Sequence, residues 1–157
     1  MVRYYQAYIC KKGHVLSYYG KNDSKYCSIC GEEVVGKCAN CGSPIRGKEH
    51  DEDDSIISIS KYKLPYYCCE CSKPYPWTDA IISNAIEILS LDESLDQETK
   101  DVVINALPDL IVESINTPIA VAKYKKYVAK AGKFVQDGLH QILINVATES
   151  IKNSLFG

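Results

Sequence analysis

Eight residues among the first 71 have the types and spacing to grip metal ions: Cys10-Lys-Lys-Gly-His14, Cys27-Ser-Ile-Cys30, Cys38-Ala-Asn-Cys41 and Cys68-Cys-Glu-Cys71. Zinc takes four tetrahedral thiolate or imidazole ligands, and a C-x2-C turn brings two sulfurs onto one ion from a single tight loop. Four such pairs call for two Zn2+ ions. His14 completes an otherwise odd set of seven cysteines, which is why it reads as a ligand. Four protein ligands leave no coordination position for water, the pattern of structural rather than catalytic zinc. Gly31 and Gly42 each follow the second cysteine of a pair, where a residue without a Cβ takes positive φ and aims backbone N–H groups at the sulfurs.

Three cysteines crowd four positions at Cys68, Cys69 and Cys71. Cys68 and Cys71 have the ligand spacing, so Cys69 is a surplus thiol between them. Twelve residues separate His14 from Cys27, seven separate Cys30 from Cys38, and twenty-six separate Cys41 from Cys68. Sequential pairing joins Cys10, His14, Cys27 and Cys30 at one ion and Cys38, Cys41, Cys68 and Cys71 at the other. A cross-brace, in which alternate pairs share an ion, is the rival. Shorter loop closures favour the sequential arrangement.

The elements that hold these loops follow from the composition shift after Cys71, since the remaining 86 residues hold no cysteine. The expectation is an α+β protein: a small β zinc-ribbon module over residues 1–76, then a helical bundle over 77–157. VLSYYG and SIISISKYKLPYY read as ribbon strands. In the second module, Thr78 reads as the N-cap of a helix from about 79 to 91, with Ile81, Ile82, Ala85, Ile86 and Leu89 as its apolar stripe. A helix over 98–107 follows, then a short segment from Pro108. Thr117 reads as a cap with Pro118 at the first position of a long helix, running with or without a kink at Gly132 or Gly138 into LHQILINVATESIKNSL.

Charge and hydropathy narrow the function. The formal net charge is −2. Seven ligand thiolates lower it by seven and two divalent ions raise it by four, so the loaded chain stands nearer −5, against general polyanion binding. The N-terminus carries no apolar stretch of signal-peptide length, and the longest apolar window, 102–122, is interrupted by Pro108, Asp109, Glu113 and Pro118. The expectation is a cytoplasmic protein whose cysteines stay reduced. Lys123, Lys126, Lys130 and Lys133 recur at spacings of three, four and three, with Lys125 beside them and no acid from Pro118 to Gln136. This stripe reads as a solvated face or a dock for the acidic turn at 92–98; as a functional site it would hold an anion or an acidic partner. His50 reads as solvated in the acidic HDEDD loop. The ribbon tyrosines read as minor-core aromatics, and exposed ones beside Arg46 could stack on bases or anchor a partner.

The order CKKGH, YCSICG, CANCGSPIRG and CECSKPYPWT, followed by TPIAVAKYKKYVAKAGK, resembles an uncharacterised bacterial family built from tandem zinc ribbons and a helical C-terminal region. The resemblance spans nearly the whole chain and implies a small metal-binding protein without an assigned activity. One departure is Ser72, where the knuckle pattern places Gly; this predicts a weaker turn at the last knuckle. No nucleophile with a paired base, phosphate-cradling loop or open metal site is present in the sequence pattern, so the expectation is a non-enzymatic adaptor with an unknown protein partner. Its rigid PIRG (44–47) and HDEDD loops would be presented to that partner. The alternative is a nucleic-acid module using Arg46, the tyrosines and the lysine stripe.

Overall fold

A computed structural model describes residues 3–50 and 61–157, and it divides the chain into two units, Met1–Ala80 and Ile81–Gly157. The first unit is built from very short strands. β1 (Arg3–Gln6) pairs antiparallel with β5 (Arg46–His50), placing Tyr4 opposite Glu49 and Gln6 opposite Arg46 across a bulge. β2 (Tyr8–Cys10) lies between β3 (Val15–Ser17) and β4 (Val34–Val35), both antiparallel to it. The expected VLSYYG strand is therefore β3. Of the other expected strand, residues 55–60 lie outside the described residues, and residues 61–66 form no strand.

Ala7, Ile9, Ile45, Tyr75 and Trp77 form the core of this unit, with Cys38 and Cys68 buried among them. Two expectations change here. Trp77 and Thr78 belong to the first unit: the Trp77 indole N–H donates to Pro65 O at 2.8 Å, and the buried Thr78 hydroxyl donates to Tyr66 O at 2.6 Å. Thr78 therefore sits inside α1 (Pro76–Ser90), two residues past its start, and does not cap it. PIRG is not a free loop either. Ile45 is fully buried, and a Cβ on Gly47 would lie 2.5 Å from the carbonyl oxygen of Tyr18 and 2.7 Å from that of Tyr5. Only glycine lets β5 lie this close to two backbones.

The helical unit contains the rest of α1, then α2 (Gln97–Ala106), α3 (Pro108–Ile111), α4 (Thr117–Val128), α5 (Lys133–Val146) and α6 (Glu149–Phe156). Fully buried Ala85, Val103, Leu110, Leu139 and Leu143 centre its core, as the 3.6-residue period requires; Ile86, expected on the stripe, is exposed. The long helix expected from Pro118 is three helices. α4 stops at Val128, and Gly132 takes an extended N-cap conformation at the start of α5. The second break lies at Ala147 and Thr148, whose hydroxyl accepts the Ile151 N–H. Thr117 opens α4, with Asn116 in the cap position; the Thr117 hydroxyl donates to Asp109 O and so ties α3 to α4. Among the described residues no helix is long and apolar enough to cross a membrane.

Asp92 holds the α4–α5 break in place. Its carboxylate accepts the Gly132 N–H at 2.7 Å and the Ser94 N–H at 2.9 Å. The Gly132 bond first, then those from Ser94, hold its acid below the ordinary carboxylate range. A depressed folded-state pKa contributes stability that is present above the unfolded value, near 4, and lost as pH falls through the folded value. Asp92→Asn is accordingly expected to destabilise the helical unit at neutral pH and to flatten its acid limb below about pH 4. Chemical denaturation of wild type and variant across that range checks both effects.

Candidate metal centres

The structure gathers the eight candidate ligands into two groups of four, Cys10, His14, Cys27 and Cys30, and Cys38, Cys41, Cys68 and Cys71. Within each group all ligand atoms lie within 4.8 Å of one another. This is the sequential grouping, not the cross-brace. Cys10 closes β2 and His14 precedes β3, so the first pair sits in a hairpin turn in which Gly13, at φ 92°, donates its N–H to Cys10 O. The turn is joined to the second loop by the bond from Lys11 N to Glu33 O and by the Lys11–Glu33 ion pair at 2.8 Å.

The other three loops share one backbone. In each, the N–H of the first cysteine donates to the carbonyl five residues on, Glu32, Ser43 or Lys73, and that cysteine's carbonyl accepts from the residue four on. The bridges Tyr26↔Glu33, Lys37↔Pro44 and Tyr67↔Pro74 then close the loop at equivalent places. The residue four positions on must turn left-handed: Gly31 at φ 77°, Gly42 at 76° and Ser72 at 64°. The turn expected to weaken at Ser72 is therefore kept, in a conformation that costs a side chain about 1 kcal/mol.

Distances fit the donor chemistry. Two sulfurs on a tetrahedral zinc at about 2.3 Å lie about 3.8 Å apart, and a sulfur and an imidazole nitrogen about 3.6 Å apart. The observed Sγ separations are 3.6 Å for Cys10–Cys30, 3.6 Å for Cys38–Cys71 and 3.7 Å for Cys41–Cys68. His14 Nδ1 lies 3.4 Å from Cys10 Sγ and 3.7 Å from Cys27 Sγ. No pair is a disulfide.

Backbone N–H groups point at the sulfurs and set their acidity. Cys68 is brought down to about 6 by the N–H groups of Cys71 and Glu70, against burial. At Cys27 burial acts upward, but the N–H groups of Cys30 and Ile29 and the neighbouring thiols bring it to about 7. Cys38 rises to about 11: the Cys41 N–H favours its thiolate, but burial and the thiols of Cys71 and Cys68 outweigh it. A divalent cation supplies the charge that lets all the thiols of a cluster ionise together. Tyr75 was missed as part of the site. Burial, then the charge of Cys68, hold the Tyr75 phenol far above its ordinary range. Nothing in PYPW signals that role in the sequence.

The remaining candidates lie apart from the ligand groups. Cys69 is exposed and outside both, its sulfur 4.0 Å from a Glu70 oxygen. His50 is not merely solvated: its Nδ1 lies 3.0 Å from the Tyr5 hydroxyl. Arg46 is exposed at the start of β5, its guanidinium 4.5 Å from the Tyr4 ring. The lysines do not share one helix. Lys123 and Lys126 are on α4, Lys130 is in the break and Lys133 opens α5, all exposed, with Lys126 and Lys130 over the Tyr127 ring.

A family model described as "Uncharacterized protein conserved in bacteria (DUF2321)" matches residues 3–155. No curated protein and no solved structure matches the chain.

Two outcomes follow from the ligand geometry. Cys69→Ser is expected to leave metal content unchanged, whereas Cys68→Ser or Cys71→Ser loses one ion per chain, read by elemental analysis. Ser72→Gly is expected to raise the denaturation free energy of the N-terminal unit by about 1 kcal/mol, and Gly42→Ala, whose Cβ would meet nothing within 4 Å, to lower it by a similar amount.

Proposed function

The chain belongs to this bacterial family, and we propose that it is a non-enzymatic protein-binding module whose N-terminal unit is held by two structural zinc ions. The observation that carries the zinc reading is the completeness of both donor sets. Three thiolates with one imidazole, and four thiolates, at tetrahedral spacing are soft and geometrically suited to Zn2+. Each fills all four positions from protein, which supports a structural role over hydrolysis. The thiols belong in a reducing compartment such as the cytoplasm.

The adaptor reading rests on what the rigid loops expose. With Ile45 and Gly47 of PIRG buried and its Arg46 and Gly47 paired in β5, the presented surface is the second knuckle, where Ile29 at 76% and Tyr26 at 57% exposure flank two ligands. A large apolar side chain fixed on a stiff turn loses little entropy when a partner covers it. The nucleic-acid reading retains one specific support, the Arg46–Tyr4 stack together with exposed lysines that form no ion pair with a described acid. Phosphate contacts would make binding fall steeply with salt.

Metal analysis of protein purified without chelator is expected to approach two zinc ions per chain, and intact folding with a value near zero contradicts the reading. Capture of a host protein is expected to be lost with Ile29→Ser. Binding to short DNA and RNA is expected to be weak and to vanish near physiological salt. Tight binding abolished by changing Lys123, Lys126, Lys130 and Lys133 to Gln would instead favour the nucleic-acid reading.

A further inference from the structure

Two close approaches place α1 against α5 in the helical unit. The Ile88 side chain lies 3.2 Å from where a Cβ on Gly138 would be, and Asp92 accepts the Gly132 N–H. Residue numbers rise along α1 as they fall along α5, so the helices run antiparallel at this contact. Leu91, three residues past Ile88, and Phe134, four before Gly138, therefore fall on the same edge, one helical turn beyond the point where glycine admits Ile88. Both are exposed, Leu91 at 62% and Phe134 at 68%.

Single exposed apolar side chains are ordinary, but two large ones within two residues of the Asp92–Gly132 bond mark this edge. Its rim carries both signs. Glu93 and Asp96 are exposed on the chain leaving Asp92, and Lys130 and Lys133 are exposed on either side of Gly132. The Thr99 hydroxyl and N–H, and to a lesser degree the charge of Lys130, hold Asp96 below its ordinary range. A nucleic-acid backbone or an anionic lipid surface would meet these acids as well as the lysines, so a one-signed partner fits poorly. A second copy of the chain offers two more apolar side chains and an opposite charge for each sign on the rim.

We propose that this edge is an interface between two copies of the chain, related by a two-fold axis. Leu91 and Phe134 of each copy pack on those of the other, and Glu93 of each faces the Lys130–Lys133 stretch of the other. An apolar centre of two side chains per copy makes the pair weak and concentration-dependent.

Sedimentation of the full, metal-loaded chain over a wide concentration range tests this. The mass is expected to rise from that of one chain toward twofold. Leu91→Ser with Phe134→Ser is expected to hold it at one chain, with an unchanged circular dichroism spectrum. A charge exchange identifies the occupant. Lys130→Glu with Lys133→Glu, and separately Glu93→Lys, are each expected to remain single where the wild type pairs, because like charges then face each other. An equimolar mixture of the two is expected to pair. Wild type that stays single at every concentration, variants that pair as it does, or a mixture that fails to pair overturns the proposal.

Discussion

The convergence of four donor atoms at each of two points is the constraint on which the N-terminal unit depends. Its strands are two to five residues long, and its buried core is a few side chains around Ile9, Ile45 and Trp77. Strands this short do not hold a fold by pairing alone. Each cluster joins loops that are distant along the chain, the second tying Cys38 and Cys41 to Cys68 and Cys71 across twenty-six intervening residues. In the zinc reading, coordination supplies the free energy that a core of this size lacks, so metal binding and folding are one process.

The loop backbone explains why the donors arrive at the right spacing. Three knuckles repeat the same hydrogen bonds, each requiring a left-handed residue four positions after the first cysteine. Two use glycine and the third uses serine, so the geometry of the turn, more than residue identity, is what the site demands. N–H groups freed by this turn point at the sulfurs and favour thiolate. Tyr75 stacks on Trp77, its ring 4.9 Å away, in the same core that buries Cys38 and Cys68, which links the second cluster to the core.

Much of this was legible because metal ligation imposes a spacing that survives in sequence. The C-x2-C pairs and the shorter loop closures led to the ligand grouping, and the apolar period located most of the helical segments. Elsewhere local signals competed. Thr78 has the chemistry of a cap, yet its hydroxyl is used by Tyr66 O and the helix begins earlier, at Pro76. The run from Pro118 onward has helical composition throughout, but Asp92, forty residues away, accepts the N–H of Gly132 and fixes a break there. That bond is invisible to any local pattern. PIRG resembles a loop because β5, RGKEH, lacks apolar alternation; Gly47 is buried there by two backbones that approach it from Tyr5 and Tyr18. The lysine period looked like one helical face and is divided between α4, the break and α5.

In the proposed reading, a closed pair of zinc sites would give the N-terminal unit rigidity without reactivity, which suits presentation of side chains such as Ile29 to a partner. X-ray absorption at the zinc edge tests that claim most directly. The account predicts a first shell of only sulfur and nitrogen, seven sulfurs and one nitrogen shared between two ions, with zinc–sulfur distances of about 2.3 Å and zinc–nitrogen of about 2.0 Å. An oxygen ligand at either ion, or fewer than seven sulfurs over the two, would mean an open site and would contradict it.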